Sequence, residues 1–289
     1  EFIVEQRTKN LLEIHIAVLL MGMTGLFGRA IEIPAQYITL GRSFFASVSM
    51  GIYFLLTSKN IRLANAKEYI AITISGILLA FHWTTFYTSV QVSTVAIAVL
   101  TFSAYPIFVT FLEPLLFKER LRLIDLIFAI VMFIGVIIIV PEFNMNNNLT
   151  VGLLWGMGSS LSFALLSLQN RRFAMKYHGS VIAFYEQGVA ALILMPLLLF
   201  YRPEVSAKDW GLLILLGILF TGIAHSMLIG GMKNVRAQTA GIIASLETVY
   251  GIIFAALLIN EIPTLRDIIG GVIILGAAAL STIRSSKKG

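Results

Sequence analysis

Eight residues inside the long apolar segments of this 289-residue chain are candidates for binding chemistry. Two are acidic, one is basic, one is a histidine and four are large aromatic residues; they are Glu247, Glu186, Arg42, His82, Trp83, Tyr87, Tyr105 and Tyr250. Carboxylates, a guanidinium and aromatic faces can together bind a small molecule that carries both charges. The residue types therefore predict a binding site for such a molecule.

The three charged residues each have a functional and a structural interpretation. Glu247 falls near the middle of its apolar segment, where it could bind an ammonium group, carry a coupled proton or bond to a neighbouring helix. Glu186 has a similar claim but lies nearer the cytoplasmic end predicted below. Arg42 could bind a carboxylate with two hydrogen bonds, or pair permanently with a glutamate. We take Glu247 as the principal candidate, and for Arg42 we prefer the pairing.

The histidines and one group of aromatic residues also admit two interpretations. His82 and Trp83, with Tyr87 a turn further on, combine a possible proton carrier with aromatic surface for stacking or cation–π contact. The alternative for Trp83 and Tyr87 is an aromatic belt at the membrane surface. His225 stands alone in its segment, and we expect it to be a packing residue.

Two tyrosines and two glutamates occupy matching positions in different segments. Tyr105 and Tyr250 fall near the middle of theirs and are predicted to line a central cavity. Pro106 removes a backbone hydrogen bond beside Tyr105 and predicts a kink. Glu119 and Glu261 stand at segment ends close to basic residues, and we interpret them as structural anchors.

The composition excludes a soluble domain. Hydrophobic residues make up 58% of the chain and charged residues 12%, against roughly 25% charged in soluble proteins. The net charge of +6 lies in short clusters between apolar runs, which is typical of membrane loops rather than of a nucleic-acid surface. Because there is no cysteine, disulfides, thiolate metal sites and cysteine catalysis are excluded. No signal peptide is predicted at the start.

Ten segments are long enough to cross a bilayer, whose core of roughly 30 Å requires about 20 residues of helix. Their approximate ranges are 11–28, 36–57, 69–88, 94–116, 122–140, 151–170, 180–200, 210–230, 237–258 and 264–283. The sequence thus predicts an all-α polytopic membrane protein. The short joints 89–93 and 231–236 predict tight helical hairpins.

The loop charges predict the orientation, because basic residues favour the cytoplasmic side. If the N-terminus is cytoplasmic, sixteen of the 21 Lys and Arg residues fall on that side, four fall outside, and Arg42 lies within a helix. We therefore expect both termini to be cytoplasmic, in a bacterial cytoplasmic membrane.

Short sequence matches predict an internal duplication. Gly76-Ile77-Leu78 recurs 141 residues later as Gly217-Ile218-Leu219, and the set Glu119, Leu123 and Asp125 recurs 142 residues later as Glu261, Leu265 and Asp267. We divide the chain into halves 1–145 and 146–289. Each half holds five predicted helices, an odd number, so the second half is inverted in the membrane. Many secondary transporters are built from inverted repeats, with the substrate site between them.

The motifs resemble those of the drug/metabolite transporter superfamily, specifically its ten-helix EamA-type branch, over nearly the whole chain. The matching pieces are Arg42 followed by small residues; His82-Trp83 with Phe86; Val95-Ala96-Ile97-Ala98 through Tyr105-Pro106 to Phe117-Lys118-Glu119; and Ala237-Gln238-Thr239-Ala240 through Leu246-Glu247 to Asn260-Glu261. The resemblance implies export or exchange of small metabolites. The family's second half often reads Leu-Glu-Pro, whereas this chain has Leu246-Glu247-Thr248, so a kink there is in doubt.

The predicted function is transport of a small metabolite by alternating access, as an exporter or exchanger, with an amino acid or similar zwitterion as the preferred substrate. The alternative is export of lipophilic cations. A membrane-embedded enzyme is a distant third, since His-Glu-x-x-His, Gly-x-Ser-x-Gly and cysteine nucleophiles are lacking. The expected partners are the substrate, the lipid bilayer and, as an option, coupling protons. No cofactor, metal or nucleic acid is expected, and the oligomeric state is left open, a monomer being acceptable.

Overall fold

The computed structural model describes residues 2–117, 123–140, 142–231 and 237–286, and within these ranges the regular structure is entirely helical. The helices are α1 Phe2–Gly22, α2 Thr24–Ala30, α3 Ala35–Thr57, α4 Ala66–Val92, α5 Val95–Phe102, α6 Tyr105–Phe117, α7 Leu123–Ile139, α8 Asn148–Ala174, α9 Gly179–Leu194, α10 Leu197–Phe200, α11 Ala207–Gly217, α12 Ala224–Gly231, α13 Ala237–Leu258 and α14 Leu265–Ser286. A π-helical segment, Ile218–Ile223, joins α11 to α12.

These helices form ten spans. Seven stretches are long and apolar enough to cross a membrane: Leu11–Ala30, Ala35–Thr57, Ala66–Val92, Val95–Leu116, Asn148–Asn170, Gly179–Phe200 and Ala207–Leu228. Leu123–Ile139 and Leu246–Leu258 are shorter apolar helices, and α14 supplies the tenth span with 22 residues. In chain order the spans are α1 with α2, α3, α4, α5 with α6, α7, α8, α9 with α10, α11 to α12, α13 and α14.

The ten predicted segments coincide with these spans, with differences at their ends. The first helix already begins at Phe2, whereas we predicted a start at residue 11. The joint between the third and fourth spans is Ser93–Thr94, shorter than the predicted 89–93, because α4 continues to Val92. In the other predicted hairpin, residues 232–236 lie outside the described part of the chain.

Four spans are interrupted along their length. The first breaks at Met23, between α1 and α2, the fourth at Ser103–Ala104, between α5 and α6, and the seventh at Met195–Pro196, between α9 and α10. The eighth widens into the π-helical segment Ile218–Ile223. Such interruptions leave backbone groups without their usual intrahelical partners, and π-helical turns frequently occur at functional sites.

The break in the fourth span follows from Pro106, as predicted. Proline has no N–H to donate to the carbonyl of Phe102, four residues earlier, and its ring crowds that carbonyl. The hydroxyl of Ser160 on α8 donates to the carbonyls of Phe102 and Thr101, at 3.1 and 2.6 Å. Side-chain hydrogen bonds from a neighbouring helix therefore satisfy the carbonyls that the break exposes.

The two halves interlock, and their most extensive packing contacts occur in equivalent pairs. The first span packs on α12 and α13, just as the sixth, α8, packs on α4, α5 and α6. The third span, α4, packs on α9, and its equivalent, the eighth span, packs on α3. Two further contacts join equivalent helices of the two halves, α3 with α9 and α7 with α14. With five spans in each half, corresponding helices run in opposite directions. The packing is that of an inverted two-repeat fold, and the boundary at residues 145–146 stays a prediction.

Two glycines mark equivalent helix crossings. A Cβ atom placed on Gly76 would lie 2.4 Å from the Cβ atom of Val189 on α9. A Cβ atom placed on Gly217 would lie 2.5 Å from the Cβ atom of Phe45 on α3. Both crossings therefore require glycine for the close approach of two backbones. The sequence match between Gly76 and Gly217 corresponds to a structural equivalence.

The same crossings place Arg42 and Glu186 at matching positions. Each is the eighth residue of its helix, α3 or α9, and each lies three residues before the side chain that meets the glycine. The carbonyl oxygen of Arg42 lies 2.8 Å from the Cβ position at Gly217, and that of Glu186 lies 3.0 Å from the Cβ position at Gly76. A cation and an acid thus occupy equivalent sites in the two halves.

Candidate substrate-binding site

Arg42 lies at the centre of the candidate site with only 1% of its surface exposed. Its Nε and Nη2 atoms donate to the hydroxyl of Thr221 at 3.1 and 2.8 Å, and Nη1 donates to the Tyr87 hydroxyl at 2.8 Å. Its Cζ atom lies 3.4 Å from the ring centroid of Trp83, a close cation–π contact. Three spans therefore hold the guanidinium in one orientation.

Thr221 is presented to Arg42 by the π-helical segment. Its hydroxyl donates to the carbonyl of Leu216, five residues earlier, at 2.8 Å. With its hydrogen directed there, the hydroxyl oxygen has lone pairs left to accept from Arg42. The wider π-helical turn thus converts an apolar span into an arginine-binding surface.

No carboxylate among the described residues lies within ion-pair distance of Arg42. For Arg42 the sequence analysis preferred a permanent ion pair with a glutamate, and the described residues form no such pair. The physical reason is that Thr221, Tyr87 and the face of Trp83 already surround the cation with neutral acceptors. Glu247 on α13 acts on Arg42 electrostatically, but from beyond contact distance. Of the five guanidinium N–H groups, the bonds above use three.

His82 is held in an aromatic cluster beside Trp83. Its Nδ1 atom shares a hydrogen bond with the Ser159 hydroxyl at 2.8 Å. Its ring centroid lies 4.8 Å from that of Trp83, 5.1 Å from Phe102 and 5.0 Å from Phe163. These contacts hold the ring in place beside Trp83, and a role of His82 as a proton carrier stays a prediction.

The cluster extends from Trp83 to Tyr105. The Tyr105 ring stacks on Phe102 at 5.8 Å and meets Phe163 edge-on at 5.0 Å. Trp83 and Tyr87 are buried inside the bundle, which is inconsistent with the alternative of an aromatic belt at the membrane surface. The indole N–H of Trp83 has no hydrogen-bond partner among the described residues. A buried donor of this kind is available to a ligand.

Two further residues lie in electrostatic range of this cluster. Glu247 is half-buried on α13 and acts on both Arg42 and Tyr105. His225 on α12 acts on Arg42 and His82. We define the Arg42 cluster as Arg42, His82, Trp83, Tyr87, Tyr105, Thr221, His225 and Glu247. It unites six of the eight predicted site residues.

The sequence analysis missed Thr221. That His225 is a packing residue stays a prediction. Nothing in the sequence around Thr221 indicated the π-helical segment or its contact with Arg42.

Two predicted site residues lie outside the Arg42 cluster. Tyr250 packs beside Gly22 of the first span and Phe254 on its own helix. Glu186 is buried between spans, beside the Asn170 side chain of α8. The two tyrosines expected to line one cavity therefore have different surroundings, and Glu186 is a separate feature.

Glu261 is an anchor, as predicted, although with different partners. Its Oε1 atom accepts from the backbone N–H of Ala96 at 3.1 Å, and its Oε2 atom lies 3.7 Å from the Nε atom of Arg29. Burial raises the pKa of the Glu261 carboxyl, while the Ala96 hydrogen bond and the charge of Arg29 act in the opposite direction. Glu261 therefore connects the chain after the ninth span to the start of α5 and to the end of α2. Its predicted counterpart, Glu119, lies outside the described residues.

A cavity of about 490 Å³ lies away from the Arg42 cluster, between α4, α6 and α8. Its walls are mostly apolar, and Glu68, Gln169 and Lys176 stand at its polar end. Lys176 and Glu68 form an ion pair at 2.8 Å, and this bond raises the pKa of the Lys176 ammonium group. None of the eight predicted site residues lines this cavity.

The sequence model of the EamA-like transporter family matches residues 9–140 and matches again at residues 150–283. The chain belongs to the EamA-like transporter family. Two matches in succession cover both halves and agree with the equivalent crossings at Gly76 and Gly217. The resemblance to the drug/metabolite transporter superfamily is thereby confirmed, and the protein is a membrane transporter.

Several curated proteins are similar to this EamA-like transporter. An uncharacterized transporter of Bacillus subtilis, YxxF, is 22% identical over 290 residues, covering 98% of this chain and 93% of the relative. The S-adenosylmethionine uptake transporter of Rickettsia prowazekii is 26% identical over 247 residues, covering 86% and 82%. An uncharacterized inner membrane transporter of Salmonella typhimurium, YicL, is 23% identical, covering 97% of both chains.

A solved crystal structure supports the fold of the transporter. It aligns with a TM-score of 0.68 at 18% identity, and the alignment covers 97% of this chain and 98% of the other. Likeness at this level of identity concerns the fold alone.

Proposed function

We propose that this EamA-like transporter carries a small zwitterionic metabolite, such as an amino acid or a compound that contains an amino-acid group, by alternating access. The observation that carries the proposal is the buried guanidinium of Arg42, which has no carboxylate at ion-pair distance among the described residues. A buried charge without a counter-charge is unfavourable. A substrate carboxylate would supply that counter-charge.

The neighbours of Arg42 support a defined binding mode. The substrate carboxylate accepts from the two guanidinium N–H groups that Thr221 and Tyr87 leave unused, a charge-assisted contact that favours Arg over Lys. The substrate ammonium group is directed towards Glu247, which lies in electrostatic range of Arg42. An aromatic or apolar substituent would then meet the Trp83 indole, whose N–H is unpaired.

The names of the relatives are compatible with this substrate class. Four relatives from Rickettsia species are named S-adenosylmethionine uptake transporters. That molecule contains an amino-acid group with a free carboxylate and ammonium, together with an aromatic base. We include it in the proposed class, with export or exchange of metabolites across a cytoplasmic membrane as the proposed role and both termini on the cytoplasmic side.

Export of lipophilic cations is the second candidate, favoured by Glu247 and by the aromatic cluster. The position of Arg42 argues against it. A cation near Trp83 would meet the guanidinium, whose charge no described carboxylate neutralises at contact distance. A zwitterion avoids this repulsion because its carboxylate faces the arginine.

The test is counterflow in proteoliposomes, which assumes neither a direction nor an energy source. The probes are a panel of amino acids, S-adenosylmethionine, their carboxyl-amidated and N-acetylated analogues, and tetraphenylphosphonium. We expect exchange of at least one zwitterion and loss of that exchange when either charged group is blocked. Exchange of tetraphenylphosphonium alone, or of no zwitterion, would refute the proposal.

Glu247 provides a sharper test of the binding mode. For Glu247→Gln we expect the half-saturating concentration of the zwitterion to rise about tenfold, corresponding to ~1.4 kcal/mol of lost attraction. The matched control is Glu142→Gln, because Glu142 is exposed in the connection between α7 and α8. An unchanged concentration dependence in Glu247→Gln would remove Glu247 from the site.

A further inference from the structure

Glu186 is a buried acid that the Arg42 cluster does not use. It is 2% exposed, and its Oε1 atom has no hydrogen-bond partner among the described residues. The same holds for Asn170 Oδ1 on α8 and for Oε1 of its buried neighbour Gln187. All three unpaired atoms are oxygens that accept hydrogen bonds.

Among the side chains that the structure describes, no charged group around α9 forms an ion pair with Glu186. The helices packed against α9 are α3, α4, α8 and α12. Their titratable and charged residues are Tyr37, Arg42 and Tyr53 on α3; Lys67, Glu68, Tyr69, His82 and Tyr87 on α4; Arg171 and Arg172 on α8; and His225 on α12. In the described part of the chain, no cation lies within ion-pair distance of Glu186. The Asn170 side chain of α8 lies beside its carboxyl.

A carboxylate in such surroundings is unfavourable, and a bound proton removes the difficulty. Protonation cancels the buried charge and turns one carboxyl oxygen into a donor in a region of unpaired acceptors. A hard metal cation would require more oxygen ligands than the few present, and no group of three metal-binding side chains occurs among the described residues. The surroundings therefore favour a proton.

Glu186 also lies where a change of charge can affect helix packing. Its carbonyl oxygen is 3.0 Å from the Cβ position at Gly76, at the crossing of α9 with α4. It stands seven residues after Gly179, roughly 10 Å along α9 from the end that we place on the cytoplasmic side. Gain or loss of a proton at this crossing would alter the contact between two spans of opposite halves.

We propose that Glu186 binds the coupling proton of this transporter, at a site separate from the substrate site at Arg42. The proposal rests on the proposed function, because it assigns the energy source for movement of the same substrate. Substrate and proton then occupy the two equivalent crossings of the inverted repeat. Protonation and deprotonation of Glu186 accompany each transport cycle.

The first experiment separates exchange from accumulation in proteoliposomes that hold a pH gradient at zero membrane potential. For the wild type we expect gradient-driven accumulation of the zwitterion and a matching proton flux, reported by an internal pH dye. For Glu186→Gln, which keeps the shape of the side chain, we expect counterflow within about twofold of wild type but no accumulation and no proton flux. Glu142→Gln should retain all three activities.

Two outcomes of this experiment would overturn the proposal. One is undiminished gradient-driven accumulation in Glu186→Gln, and the other is accumulation in the wild type that follows a sodium gradient instead of a pH gradient. Absence of zwitterion counterflow in the wild type would count against the proposed function and not against the proton site.

The proton site has a second readout that needs no substrate. The melting temperature of the purified wild type should fall relative to that of Glu186→Gln as the pH is raised from about 5 to about 9, because only the wild type must then bury a charge. Glu142→Gln should follow the wild type. A difference between wild type and Glu186→Gln that stays constant over this range would overturn the proposal.

Discussion

Two helix crossings with the same backbone geometry have opposite chemistry. At one, α3 meets the eighth span and Arg42 has three hydrogen bonds and an aromatic face. At the other, α9 meets α4 and Glu186 has an unpaired oxygen and no ion pair among the described residues. The inverted repeat supplies the same close approach of two helices twice, and the difference lies in the side chains and in the π-helical segment that follows Gly217. One crossing carries a fixed cation, Arg42, and the other carries an acid whose charge can change, Glu186.

A second pair of equivalent helices differs in the backbone. The fourth span breaks just before Pro106, whereas the ninth continues as one helix, α13, through Thr248, which lies 142 residues further along the chain. The Thr248 hydroxyl instead hydrogen-bonds to that of Ser103 at the break. The missing proline of the Leu-Glu-Pro pattern thus has a visible consequence, because Glu247 stands on an uninterrupted helix.

The largest expected effect comes from removing the fixed charge. Arg42→Gln should lower zwitterion counterflow about 100-fold, since the carboxylate loses its charge-assisted contacts. Arg42→Lys should have a smaller defect, because it restores the charge without the planar fork. Arg202→Gln is the control, since Arg202 lies in an exposed connection and its Nε atom donates to the nearby carbonyl of Leu198. If a folded Arg42→Gln protein exchanges the zwitterion at the wild-type rate, Arg42 is not the substrate-binding cation and the two crossings do not differ as proposed.

The next effect tests whether the crossings are equivalent in packing. Gly76→Ala and Gly217→Ala should each destabilise the protein by ~1–3 kcal/mol, because the new methyl group would overlap Val189 or Phe45. Thermal unfolding in detergent measures both. Gly276→Ala is the matched control, since its Cβ position on α14 has no atom within 4 Å. It should be neutral or more stable by up to ~1 kcal/mol. Tolerance at only one crossing would contradict the equivalence.

The membrane spans that form these crossings, and the glycines at which they meet, could be predicted from the sequence. Long apolar segments report membrane spans directly, because bilayer thickness sets their length. The match between Gly76 and Gly217 was visible because a close backbone approach admits only the smallest residue. Arg42, His82, Trp83 and Tyr87 were identifiable for the opposite reason, since polar and aromatic groups in the middle of a span require an explanation.

The chemistry of each crossing could not be predicted, because it depends on contacts between distant parts of the chain. Arg42 and Thr221 are 179 residues apart, and their hydrogen bonds need the π-helical segment to turn the hydroxyl inward. Hydropathy and residue spacing contain no signal for that segment. For the same reason the sequence analysis placed Glu186 and Glu247 in one site, although of these two acids only Glu247 acts electrostatically on Arg42.

The smallest expected effect concerns the broken fourth span. Ser160→Ala removes the hydroxyl that donates to the carbonyls of Thr101 and Phe102, and the loss should cost about 1 kcal/mol of stability. Ser162→Ala is a close control on the same helix, because the Ser162 hydroxyl donates only to carbonyls of α8 itself. Thermal unfolding should therefore separate the two variants. Equal melting temperatures would mean that the break before Pro106 is stable without help from α8, and that the difference between the fourth and ninth spans resides in proline alone.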